Sequence, residues 1–118
     1  KKLKLLNKCL TFQKIELFHV NLLFLMAMVE FELRENKGRF FIKEHSDVLA
    51  EMTFVYVGKE RIIIDHTEVL PGNNGKGYGR MLVAKAVDYA RENNIKILPL
   101  CPFAKSVFDK TPEYKAVL

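Results

Sequence analysis

A glycine-rich run between a β-type segment and an amphipathic helix constrains this fold more than any other feature. The run spans residues 71–79 and has four glycines in nine residues, which excludes regular structure and predicts a loop with left-handed backbone angles. Residues 61–70 before it begin with three consecutive isoleucines, as is typical of a central strand covered on both faces. An apolar stripe at helical spacing follows the run and comprises Leu82, Val83, Ala86, Val87 and Ala90.

The remaining segments predict one α+β domain with a mixed sheet. Alternation of apolar and charged residues makes 29–34 a strand with one buried face. The segment at 95–100 should run parallel to 61–70, because a helical crossover is what a right-handed βαβ unit needs. The full prediction places strands at 29–34, 39–42, 48–57, 61–70 and 95–100, turns at 36–38, 45–47 and 58–60, the central helix up to 93–94, and a short helix at 103–110.

Length and charge divide the chain at about residue 28. Its 118 residues suit one domain, and the formal charge of +5 lies mostly in residues 1–27, which contain five lysines and one glutamate. Residues 28–118 hold 14 basic and 13 acidic residues, so nucleic-acid binding is not expected. The apolar run at 20–29 is shorter than the ~20 residues of a membrane-spanning helix. We predict a single domain at 28–118 and interpret 1–27 as an N-terminal extension upstream of the true start.

Two cysteines, Cys9 and Cys101, are too few for a disulfide framework. They are typical of a protein in the reducing cytoplasm, which is the predicted location. No set of metal ligands is predicted.

The order strand, glycine-rich loop and helix is a recurrent device for holding phosphate groups. Glycines let main-chain N–H groups converge on an anion, and the helix N-terminus adds a partial positive charge. Lys76 and Arg80 bring full charges to the same place. The run lacks the Gly-Lys-Ser/Thr ending of a P-loop and does not open a Rossmann unit.

In this context the motif Asn74-x-x-Gly77-x-Gly79 resembles the Q/R-x-x-G-x-G/A motif with which N-acetyltransferases of the GNAT superfamily hold the pyrophosphate of coenzyme A. The resemblance extends to 64–69 (IDHTEV), 75–83 (GKGYGRMLV), 101–104 (CPFA) and 112–114 (PEY), which are similar to the short stand-alone GNAT-like proteins. Asn74 departs from the usual Gln or Arg, which weakens one side-chain contact but leaves the glycine backbone in place.

The resemblance implies a GNAT-like twisted mixed sheet and an enzyme that moves an acetyl group from acetyl-CoA to an amine on a small molecule or protein. Pantetheine would lie where strands 61–70 and 95–100 diverge, bonded by main-chain groups near Val69 and Leu70. Pro99 and Pro102 lack N–H donors and so limit pairing at that point. The implied coenzyme A-binding residues are Val69, Leu70, Asn74, Gly75, Lys76, Gly77, Tyr78, Gly79 and Arg80. Two alternatives are a CoA-binding module without turnover and a partner-binding or membrane-surface protein acting through residues 1–27.

Three residues are candidates for the chemistry. Cys101 ends the last strand and either relays the acyl group or lines the pocket, with Lys105 as a cation that would favour its thiolate. His66 and Glu68 share one face of their strand, opposite to Asp65 and Thr67, and either side chain is a candidate general base through a water molecule. Tyr114 suits packing of the C-terminal tail better than protonation of the leaving sulfur.

Overall fold

The computed structural model describes residues 28–118, so the predicted extension at 1–27 lies outside the described residues. These residues form a five-stranded sheet whose strand order follows the sequence. The first four strands are antiparallel and the fifth is parallel to the fourth, which confirms the predicted mixed α+β arrangement. The elements are β1 (Val29–Arg34), β2 (Lys37–Glu44), β3 (Asp47–Val57), β4 (Arg61–Val69), α1 (Tyr78–Asn93), β5 (Lys96–Pro99), α2 (Pro102–Lys110) and a 3-10 helix (Pro112–Val117).

One face of the sheet carries the core. Phe40, Phe54 and Ile64 point from neighbouring strands into a single apolar cluster that also contains the predicted stripe of α1. Residues of α2 join the same cluster through Ala104 and Phe108. Most alternate positions of the strands, for example Glu51, His66 and Glu68, are half-buried or exposed, so the other face of the sheet is largely open among residues 28–118, except around the buried Phe41 and Leu49.

The first hairpin differs from the predicted turn at 36–38. The turn is formed by Glu35 and Asn36, with Glu35 in the left-handed region at φ 56°, and β2 already begins at Lys37. Gly38 is a strand residue, and a Cβ at this position would overlap the ring of Phe54. This glycine is therefore needed for packing across the sheet and not for the turn.

Other boundaries shift by one or a few residues. The turn predicted at 45–47 narrows to two residues, with His45 at φ 58°. The 4-residue β5 is shorter than predicted, Leu70 lies outside β4, and α2 begins at Pro102, where the missing N–H of proline is harmless. Within residues 28–118, no helix is long and apolar enough to cross a membrane.

Candidate functional site

The glycine-rich loop between β4 and α1 presents an open main-chain surface. Gly72, Gly75 and Gly77 have φ values of 92°, 84° and 79°, and a Cβ built on any of them would have no neighbour within 4 Å. Within the described residues, no backbone hydrogen bond occupies the N–H groups of Gly75 and Gly77, whereas the turn at Asn74 and Gly75 engages the N–H of Lys76. Free N–H groups in such a loop form a concavity suited to an anion.

Helix α1 starts from this loop without a side-chain cap on the N–H groups of its first turn. Gly77 is the N-cap residue, no side chain caps the helix, and its first turn has no acidic residue. The free N–H groups of the first turn therefore add their partial positive charge to the loop. Lys76 and Arg80 are exposed, with Lys76 Nζ donating to Asn73 Oδ1 at 3.1 Å. Asn74 is exposed.

Gly79 differs from the other loop glycines. It is buried in the first turn of α1, and a Cβ added here would lie 2.5 Å from Cζ and 2.6 Å from Cε2 of Phe103. The absence of a side chain lets the first residues of α2 pack against the start of α1. Gly79 thus shapes the site by packing, whereas Gly75 and Gly77 leave space open.

The sheet splits at the carboxyl ends of β4 and β5. Pairing between these strands ends at Ile64 and Pro99, where the carbonyl of Ile64 accepts hydrogen bonds from the N–H groups of Leu100 at 3.0 Å and Cys101 at 3.1 Å. Beyond this point the chain turns into α2, and β4 continues alone beside β3. A gap therefore opens along the edge of β4 from Asp65 to Val69.

The main-chain N–H and C=O groups of every second residue of β4 point into this gap. The N–H of Leu70 donates to the carbonyl of Leu49 at 2.8 Å, so Val69, opposite Ala50, occupies a non-hydrogen-bonded position of the β3–β4 ladder. Its main-chain groups, like those of Thr67 two residues earlier, face the gap. The N–H of Leu70, also a predicted ligand-binding residue, is used by Leu49, and its carbonyl accepts the N–H of Asn73 at 3.1 Å.

Cys101 lies at the inner end of the gap as the N-cap residue of α2. It is 6% exposed, and its Sγ donates to Thr67 Oγ1 at 3.4 Å. Burial opposes ionisation of the thiol, but the hydroxyl of Thr67 and the main-chain groups of Ala104, Phe103 and Thr67 outweigh it and lower the pKa of Cys101. Within residues 28–118, Lys105 is not among the groups that produce this shift; it lines a groove with Arg61 and Asp109.

His66 and Glu68 share a face of β4, as the sequence predicts, and that face is the open one. They pair with Thr53 and Glu51, their side chains are 65% and 74% exposed, and His66 Nε2 lies 3.9 Å from Glu68 Oε1. Thr67 projects to the other face, toward Cys101. The structure therefore brings Cys101 together with Thr67 and places His66 and Glu68 on the opposite side of the strand.

Thr67 is the site residue that the sequence analysis did not select. Its position opposite to His66 was evident from alternation, but no motif linked it to Cys101, which is 34 residues away in the chain. Tyr114 packs edge-on against Phe108, with ring centroids 6.0 Å apart, consistent with a structural role in the C-terminal tail.

Comparison with known proteins gives one family match. Residues 39–117 match the family described as GCN5-related N-acetyl-transferase. A GCN5-like protein from Staphylococcus aureus, solved by NMR, is 39% identical over 77% of this chain and 88% of its own, with a TM-score of 0.60. A ribosomal-protein-alanine N-acetyltransferase from Brucella melitensis has the same fold at 16% identity, with a TM-score of 0.57 over 65% of this chain and 62% of its own. Among curated proteins, none matches the sequence.

Proposed function

This chain belongs to the GCN5-related N-acetyltransferase family, and we propose that it binds acetyl-CoA across the glycine-rich loop and the β4–β5 gap to acetylate an amine. Enzymes of this family take the acetyl group from acetyl-CoA, which supplies an activated thioester. The observation that carries the proposal is the direct succession of an open anion-binding loop and a gap in the sheet that ends at Cys101.

The loop has the properties that a pyrophosphate requires. The free N–H groups at Gly75 and Gly77 lie beside open space, and the uncapped start of α1 adds to their charge. Lys76 and Arg80 add full positive charges to the same loop and helix start. Asn74 is exposed beside it and offers a side-chain amide to the ligand.

The gap has the properties that an amide-containing chain requires. The main-chain N–H and C=O of Val69 and the C=O of Thr67 face it without a partner strand, because β5 has ended, while the N–H of Thr67 is directed at the sulfur of Cys101. Pantetheine contains two amides, and an extended chain bonded to a free strand edge is a common mode of recognition. We therefore assign Val69 a direct role and restrict Leu70 to the shape of the gap.

The chemical step needs a nucleophile and a proton acceptor. We assign Cys101 Sγ as the atom that receives the acetyl group, since its surroundings favour the thiolate and it lies at the inner end of the gap. The thiolate attacks the acetyl carbonyl, the carbon–sulfur bond to CoA breaks, and the CoA thiolate leaves and takes a proton from water. The amine nitrogen then attacks the Cys101 thioester, whose carbon–sulfur bond breaks and returns the Cys101 thiolate. His66 Nε2, held near Glu68, takes the proton of the attacking amine through a water molecule, because both side chains lie on the face of β4 opposite to Cys101.

Substitution of Gly77 by alanine tests the phosphate site. Gly58 offers a matched control, because it has a similar left-handed φ of 69° and equally open surroundings but lies in the β3–β4 turn, at the other end of β4. Both Gly77→Ala and Gly58→Ala should lose stability by about 1–2 kcal/mol from backbone strain. In calorimetric titration with acetyl-CoA, only Gly77→Ala should lose affinity, by about tenfold or more.

Equal affinity of the two folded variants would exclude the loop as the phosphate site. A protein that binds acetyl-CoA but acetylates no member of an amine panel would be a CoA-binding module without turnover.

The role of Cys101 has a separate test that does not depend on knowing the acceptor. Incubation with acetyl-CoA alone should add one acetyl group to the peptide that contains Cys101, as measured by mass spectrometry. Cys101→Ser should bind acetyl-CoA and form no thioester adduct. If the parent protein forms no adduct and Cys101→Ala acetylates its amine at the parent rate, the transfer is direct and the covalent route is excluded.

A further inference from the structure

The polar side chain that faces Cys101 across the split is Thr67. Its Oγ1 is 3.4 Å from Sγ. The main-chain N–H of Thr67, on the gap-facing side of β4, also hydrogen-bonds the sulfur and lowers the pKa of Cys101. Among residues 28–118, no charged side chain is one of the groups that shift the pKa of this thiol. The polarity around the sulfur therefore comes from one hydroxyl and from main-chain dipoles.

A β-bulge places Thr67, and not His66, on the Cys101 side of β4. In the β3–β4 ladder Phe54 pairs with Ile64 and Thr53 with His66, which leaves Asp65 as an extra residue. Thr53 Oγ1 donates to Asp65 Oδ1 at 2.6 Å and fixes the bulge. Continued alternation from Ile64 would direct His66 to the Cys101 side, but the extra residue reverses the faces beyond it.

We propose that Thr67 is a positioning residue for Cys101, whose hydroxyl and main-chain N–H orient the sulfur and stabilise its thiolate, a role that rests on the proposed function of Cys101. In the neutral state the thiol donates to Thr67 Oγ1. When the thiol loses its proton to water, the hydroxyl rotates and donates to the negative sulfur. One side chain thus serves both protonation states without moving its oxygen.

The energetic reason for such a group is the burial of the sulfur. Burial is the largest influence on the thiol and by itself raises its pKa, whereas the hydrogen bond with Thr67 is the first of several contributions that lower it. A buried thiol without such partners is unreactive at neutral pH. Removal of the Thr67 hydroxyl should leave the main-chain contributions in place, so the stabilisation of the Cys101 thiolate should be lost only in part.

Three variants of the full chain separate this role from a packing role. Thr67→Val keeps the shape and removes the hydroxyl, Thr67→Ser keeps the hydroxyl and removes a methyl group, and Thr67→Ala serves if the valine variant does not fold. The readout is the rate of alkylation of Cys101 by iodoacetamide across pH, followed on its peptide by mass spectrometry. Cys9 in the same molecule provides a reference thiol.

We expect Thr67→Val to move the alkylation profile of Cys101 to higher pH and to reduce its rate at pH 7 by roughly three- to tenfold, because a tenfold change corresponds to one pKa unit. Thr67→Ser should restore the parent profile, and the profile of Cys9 should stay the same. An unchanged Cys101 profile in folded Thr67→Val or Thr67→Ala would overturn the inference, as would a serine variant as impaired as the valine variant. Because alkylation uses no acetyl-CoA, these results are independent of the titration that tests the proposed function.

Discussion

The contact between Gly79 and Phe103 allows a quantitative test of how the two helices are joined at the site. A Cβ at residue 79 would lie 2.5 Å from the nearest ring carbon of Phe103, whereas carbon atoms in contact prefer about 3.5–4.0 Å. The ring must therefore retreat by roughly 1 Å or more. Phe103 is 41% exposed, so it has room to move, and we place the cost at the lower part of the roughly 1–3 kcal/mol range for overpacking.

Helix propensity acts in the opposite direction. Gly79 is the second residue of α1 and its φ is not in the left-handed region, so alanine is compatible with its backbone. Alanine is favoured over glycine inside a helix by up to about 1 kcal/mol. We expect Gly79→Ala to destabilise the protein by at most about 1 kcal/mol, because the gain in helix propensity offsets part of the overpacking cost.

A double-mutant cycle distinguishes the two effects. In a Phe103→Ala background the clash disappears, so Gly79→Ala should become stabilising by a few tenths to about 1 kcal/mol. The coupling energy from urea unfolding should therefore equal the cost of the clash, about 1–2 kcal/mol. If Gly79→Ala has the same effect in both backgrounds, the packing explanation of this glycine is refuted.

Three further predictions concern the core, the chemistry and the extension. Burial, together with the hydrogen bond to Tyr56, raises the pKa of Tyr89. The stability that this shift contributes is complete below the ordinary tyrosine pKa of about 10 and is lost as pH rises toward the folded pKa. The free energy of unfolding should therefore fall above pH 10, and less steeply in Tyr89→Phe. His66→Gln should reduce acetyl transfer by about 100-fold or more with unchanged affinity for acetyl-CoA, and Glu68→Gln should have a smaller effect; parent rates in both would contradict their role. Deletion of residues 1–27 should leave a folded domain that acetyl-CoA protects against thermal unfolding, and loss of that protection would show that the extension contributes to the domain.

The sequence was sufficient for the parts of the fold that depend on repeated pattern. Alternation identified β1, the isoleucines identified the centre of β4, and the apolar stripe of α1 matches the buried residues of that helix. The helical crossover predicted the parallel pairing of β4 and β5. Each of these signals is summed over many residues, so a single exception does not change it.

Features that depend on one residue or one contact were not predictable. The bulge at Asp65 inserts a single residue into β4 and sets which face holds Thr67, but no local pattern marks it. Glycines at 38 and 79 were interpreted as turn and loop residues, whereas Phe54 and Phe103 require them for packing. These rings are distant in sequence, so the reason for each glycine becomes visible only in three dimensions.

The uncapped start of α1 has a consequence for the lifetime of the protein. A side-chain cap is typically worth about 0.5–2 kcal/mol, and α1 lacks one at Gly77. If a phosphate group of the ligand fills that place, the ligand completes the fold as well as entering the reaction. The free protein would then open more often at this helix and be degraded faster, and its abundance would follow the supply of acetyl-CoA.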